Sequence, residues 1–182
     1  MKGSSLDFEQ ALYSKLVEIP AIVTGFQQKS GQAEVLWQQW LKDTEDILFK
    51  YNCVECASLA GFRADILATK AAPESTGGSR KNATSKILKT INPAQSIVVS
   101  VHNRVSDNVE NVRVFFKQIL TQAKTAGVLK YDDSSDFTAF IEGLLKQFRF
   151  NDQLAPSVNN AVATLGYTDV IRLLAEETSK LT

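Results

Sequence analysis

The sequence predicts an all-α protein, and three observations carry that expectation. Apolar residues recur every three or four positions along most of the 182 residues, the period of one helix face. Only four prolines, Pro20, Pro73, Pro93 and Pro156, punctuate the chain. The one β-branched run, Ile97 to Val101, keeps the helical phase of its neighbours instead of starting a strand. A chain of this length builds one good-sized core, and nothing in it demands a second domain.

The elements follow in order. A first helix is expected from about Leu6 to Ile19, with Leu12, Leu16 and Ile19 on one side. Pro20 ends or kinks it, because proline lacks the N–H that an interior turn needs. A second helix covers about Gln32 to Lys50, where Ala33, Leu36, Trp37, Trp40, Leu41, Ile47 and Leu48 form a wide apolar stripe. A third, about Cys53 to Lys70, either continues the second or breaks from it at Asn52, since neither Gly nor Pro stands there. Residues 71–92 then change character, with turn formers and the four basic residues Arg80, Lys81, Lys86 and Lys89; such a length predicts a binding loop or a disordered segment.

Asn92-Pro93 is expected to open the longest helix, because asparagine caps well and proline is welcome in a first turn. Along it Val98, Val101, Val105, Val109, Val112, Phe116, Ile119 and Ala123 make a seam suited to antiparallel neighbours, ending at Gly127. The polar segment Tyr131 to Asp136 caps a further helix over about Phe137 to Phe148. The tail after Pro156 yields one or two short helices, one of them at about Thr168 to Lys180. No internal repeat and no nucleotide-binding loop is present.

Composition excludes several function classes. The formal net charge is zero, with 20 basic and 20 acidic residues, so polyanion contact requires a local patch or multiplication by assembly. No apolar run follows Lys2, and no segment approaches the ~20 apolar residues of a membrane span; a soluble, unexported protein without a membrane partner is expected. Asn82-Ala83-Thr84 matches a glycosylation acceptor, and without a secretion signal it reads as coincidence. Cys53, Cys56 and the single His102 are too few for a Cys/His zinc site, and Tyr131 to Asp136 lacks the glycine and terminal glutamate of a calcium loop. No metal, no cofactor and no enzymatic activity are expected; a helical enzyme with scattered catalytic residues is the weakest of the readings.

The polar flank of the long helix is more informative. Ser96, Ser100, Asn103, Arg104, Asp107 and Asn111 stand three or four apart and make one face. A guanidinium grips phosphate, while a carboxylate and amides bond ribose hydroxyls or base edges. The plain alternative is an Arg104 and Asp107 surface pair worth ~0.2–0.5 kcal/mol.

The same stretch resembles the last bundle helix of the coat proteins of rod-shaped plant viruses, the tobacco mosaic virus type. Asn92, Pro93, Arg104, Val105, Asp107 and Arg113 match the Asn-Pro opening and the Arg, Val, Asp and second Arg of that family with the same gaps. Phe26-Gln27-Gln28 and the run Gln32 to Trp40 resemble its glutamine-rich turn and second helix. Leu59-Ala60-Gly61-Phe62-Arg63 resembles the end of its third helix, and Tyr131 with Ser134 to Phe137 resembles its Tyr and Ser-Ser-Phe-Glu element. The resemblance covers roughly residues 10–140.

It implies an antiparallel four-helix bundle with a long inner loop over residues 1–140, and extra C-terminal helices over 141–182. Many copies would stack into a helical homo-polymer around single-stranded RNA, with the loop 71–92 at the RNA-facing end. Arg63 and Arg104 would hold phosphate, Asp107 a ribose hydroxyl or base edge, and Arg113 an intersubunit or structural contact. Arg80 and Lys81 would share the work of the family's second arginine, which Arg63-Ala64-Asp65 lacks. Glu74 is the only acid between Asp65 and Asp107, so the family's carboxylate disassembly switch has no counterpart. The implied locations are the virion and the host cytoplasm. The alternative is a cytosolic helical module whose long helix and segment 71–92 bind a protein partner without nucleic acid.

Overall fold

Residues 3–71, 79–127, 129 and 136–181 are described by the structure, a computed structural model. Seven helices and no strand occur among the described residues: α1 Ser5–Gln27, α2 Ala33–Lys50, α3 Cys56–Ala71, α4 Ser79–Thr125, α5 Phe137–Phe150, α6 Ala155–Leu165 and α7 Tyr167–Ser179. The all-α class is therefore observed. The chain divides into two compact units, an amino-terminal one of Asp7–Asn103 and a carboxy-terminal one of Met1–Leu6 with Arg104–Thr182. The division falls inside α4, whereas the sequence places one near residue 140.

The core of the amino-terminal unit is laid down by α1, α2, α3 and the first part of α4. Trp37 and Trp40 are fully buried and stack with ring centroids 4.7 Å apart and planes 8° apart. A buried indole needs an acceptor, and each finds one on a different helix. Trp40 Nε1 donates to the Lys15 carbonyl of α1 at 2.7 Å, and Trp37 Nε1 to Thr90 Oγ1 of α4 at 3.0 Å. Thr90 in turn donates to the Ile87 carbonyl at 2.7 Å. Nearby, α2 and α3 pack as a hairpin whose turn places Asn52 at φ 56°, a left-handed position that asparagine tolerates. That residue breaks the helical run, so the two helices are not continuous. Leu36, expected in the α2 stripe, is exposed.

Pro20 does not end its helix and Pro93 does not open one, for the same reason. Pro20 lies inside α1, and Pro93 lies inside the 47-residue α4 rather than at its start. Residues 79–92 are thus helical and not loop; the remainder of the expected loop, 72–78, lies outside the described residues. An interior proline costs about 3 kcal/mol. Burial of Ile87 and Ile91, 0% and 5% exposed, is worth about 1.5–3 kcal/mol each, which offsets that cost while the helix runs upstream of Pro93. Around Pro20 the buried Ile19 and Ile22 bring the same gain.

The carboxy-terminal unit gathers the rest of α4 with α5, α6 and α7, and the last three pack on one another. Val109, Val112, Phe116 and Leu120 of α4 meet Ile141, Leu145, Val158, Leu173 and Leu174 in one apolar cluster. Asp136 caps α5, accepting from Thr138 N at 2.9 Å, while residues 131–135 of the expected capping segment lie outside the described residues. Gly166, at φ 96°, makes the corner between α6 and α7, a backbone that a side chain would strain. Asp169, 1% exposed in the first turn of α7, accepts from Ser4 Oγ at 2.7 Å and from the backbone N–H groups of Ser5 at 2.5 Å and Leu6 at 3.4 Å. The carboxylate thereby fills orphan donors at the start of α1 while sitting where the α7 dipole favours negative charge.

Thr90→Val should lower stability by about 1–3 kcal/mol, the cost of an orphaned buried donor. Adding Trp37→Phe should cost less in that background than in wild type. Urea denaturation of the four proteins gives the coupling; strictly additive losses would mean that the indole bond contributes nothing.

Candidate functional site

The residues expected to grip RNA do not share one environment. Arg63, on α3 of the amino-terminal unit, already holds a carboxylate: its Nε donates to Glu45 Oε2 at 2.9 Å and its Nη2 to Glu45 Oε1 at 3.2 Å. This two-pronged pairing of guanidinium and carboxylate is strongly directional and ties α3 to α2. Arg80 and Lys81 fall in the first turn of α4, and their side chains lie outside the described residues. Arg104 and Asp107, one turn apart on α4 in the carboxy-terminal unit, are both exposed, as is Asn111. Ser96, Ser100 and Asn103 are exposed on the amino-terminal side of the division.

Arg113 instead holds its own unit together. Its Nη1 donates to Glu176 Oε2 and to Glu177 Oε1, each at 2.9 Å, and Lys180 Nζ reaches the same Glu177 oxygen at 2.5 Å. The Glu177 side chain is 4% exposed. Burial acts to push its carboxyl up, but the hydrogen bonds from Lys180 and Arg113 outweigh it and hold the group below the ordinary value of 4.5. For Arg113, partial burial pulls the guanidinium down and the bonds it donates to Glu177 and Glu176 more than restore it, leaving it raised. These contacts fasten α4 to α7.

His102 is half-buried beside Tyr13, with centroids 6.2 Å apart; Cys53 and Cys56 are half-buried and unbridged. Among the described residues no group of three or more His, Cys, Asp or Glu is placed to hold a metal ion. No helix among them is long and apolar enough to cross a membrane.

An open cleft of about 700 Å³ lies on the carboxy-terminal unit, along one face of α5 and against α6 and the start of α7. Glu142, Gly143, Lys146, Arg149 and Phe150 recur on that face at helical spacing. Phe150 is 77% exposed and Tyr167 47%, although α5 already buries Ile141, Leu144, Leu145 and Phe148. Arg149 Nε donates to Asn159 Oδ1 at 3.2 Å, orienting the guanidinium across α5 and α6. A Cβ built on Gly143 would meet nothing within 4 Å. That glycine costs the helix about 0.5–1 kcal/mol relative to alanine, and no packing among the described residues requires it.

Sequence reasoning passed over this cleft because α5 announces its buried stripe more loudly than its outer face. The available signal was a glycine in a helix interior beside a phenylalanine on the charged side. Comparison with protein-family models, with curated proteins and with solved structures finds no match to the chain.

Glu177→Gln should lower stability at neutral pH by about 1–3 kcal/mol. A carboxyl held low in the folded state stabilises fully above its unfolded value and loses that contribution as pH falls through the folded value. The gap between wild type and variant should therefore close on acidification below 4.5. A gap independent of pH in urea titrations would show that the stabilising species is not the carboxylate.

Proposed function

We propose that this chain is a non-enzymatic helical interaction protein that holds its partner on the open cleft of the carboxy-terminal unit. One observation carries the reading: Phe150 and Tyr167 stand exposed at a cleft that also presents Lys146, Arg149 and an unshielded Gly143. Leaving a phenylalanine in water forgoes about 1.5–3 kcal/mol of burial, and grouped exposed aromatics mark surfaces that another molecule covers. The long helix and segment 71–92, the partner surface expected from sequence, are replaced in this reading by the outer face of α5. The neutral net charge suits a protein partner better than a polyanion.

The coat-subunit reading keeps one specific support, the exposed Arg104 and Asp107 one turn apart on α4, in the positions where the sequence resembles the rod-shaped virus family. It takes α1, α2, α3 and the first part of α4 as an antiparallel four-helix bundle, polymerised around single-stranded RNA in a virion. Two observations weigh against it. Arg63 is occupied by Glu45, and residues 79–92 are helix where an RNA-facing loop is needed.

Electron microscopy and light scattering of the purified chain separate the two readings. A small, monodisperse particle free of RNA over a range of pH and salt is the expected result. Rods, disks or tubes containing RNA would overturn the interaction reading, and loss of that RNA in a folded Arg104→Ala variant would establish the coat subunit.

A further inference from the structure

The geometry points to the chemical class of the partner: we infer that the α5 cleft takes a short acidic segment of another protein, built around an apolar side chain. This rests on the interaction reading above. Eight of the nine lining residues are exposed, Leu145 alone being buried, so the cleft is a groove rather than a chamber. A small molecule bound there would keep much of its surface wet, whereas enclosed sites cover most of their ligand. An extended or helical peptide lays one face into such a groove and leaves the other in solvent.

Charge selects the peptide. Lys146 and Arg149 face the groove, and among the described residues neither has a carboxylate within 4.0 Å. Arg149 spends one N–H on Asn159, which fixes the guanidinium plane without neutralising it. Among the described lining residues Glu142 is the only acid, so this described lining carries one net positive charge. That balance complements one or two carboxylates and is too weak to hold a run of phosphates, which demands a cation for nearly every contact. The apolar part of the peptide would lie over the Gly143 backbone, where the missing side chain permits close approach, with Phe150 and Tyr167 contributing ring surface.

The test uses the full chain and fluorescence polarisation with four labelled probes. These are a synthetic peptide with Asp and Glu around a Leu-Leu-Trp centre, the same peptide with Lys for every acid, the same with Ser for every apolar residue, and an oligouridylate. The acidic apolar peptide should bind, and both altered peptides should bind at least about tenfold more weakly, the change expected from losing one contact class. Lys146→Glu with Arg149→Glu should weaken the acidic peptide by a similar factor and improve the Lys peptide. Gly143→Gln, which fills the floor without touching charge, should weaken both; circular-dichroism melting confirms that each variant folds.

Equal binding of acidic and basic peptides, indifference to the charge reversal, or failure of all three peptides would overturn the inference. So would oligouridylate binding that depends on Lys146 and Arg149, which would assign the groove to RNA. If the peptides fail while the particle remains small and free of RNA, the acidic class is wrong and the interaction reading stands. RNA-filled rods would remove the reading itself, whatever the peptides do.

Discussion

The stacked Trp37 and Trp40 are the constraint on which the amino-terminal unit depends. Two large rings packed face to face supply much of its buried area, but the demand for acceptors is what gives the pair direction. One indole N–H is answered by a backbone carbonyl of α1, the other by the hydroxyl of Thr90 on α4. Residues 79–92, which read as part of a loop, are held in α4 by that hydrogen bond and by the burial of Ile87 and Ile91.

The carboxy-terminal unit rests on polar contacts at the ends of its helices as much as on its apolar cluster. Asp169 closes the start of α1, and Glu177 gathers Arg113 and Lys180. Each buried carboxylate faces several donors, which is the condition under which burying it is tolerable. The apolar seam of α4 steps alternately by four and three from Ile87 to Val105, and within the carboxy-terminal unit a second step of four leads to Val109 before alternation resumes.

Function follows from which polar groups are already employed. A guanidinium bonded twice to a carboxylate, as in Arg63, is a structural member first, and Arg113 is likewise committed to its neighbours. Lys146 and Arg149 differ because, among the described residues, neither is paired with a carboxylate, and they sit on a cleft with exposed rings and a bare stretch of helix. The physical case for a partner is strongest where folding has left apolar surface, charge and backbone uncovered together.

Local signals made the all-α class legible, as well as the α2 stripe around Trp37, the end of α4 near Gly127 and a helix beginning after Asp136. These are local properties: side-chain spacing, capping chemistry and glycine's freedom act within a few residues of where they are written. The passage of α1 through Pro20 and of α4 through Pro93, the exposure of Leu36, the partners of Arg63 and Arg113, and the cleft on α5 were decided only in tertiary structure. The contacts of Thr90, Arg63 and Arg113 each depend on a residue outside local reach, Trp37, Glu45 and Glu177 respectively. A local penalty of a few kcal/mol yields when distant burial returns more, and nothing within one turn of Pro93 reveals that balance.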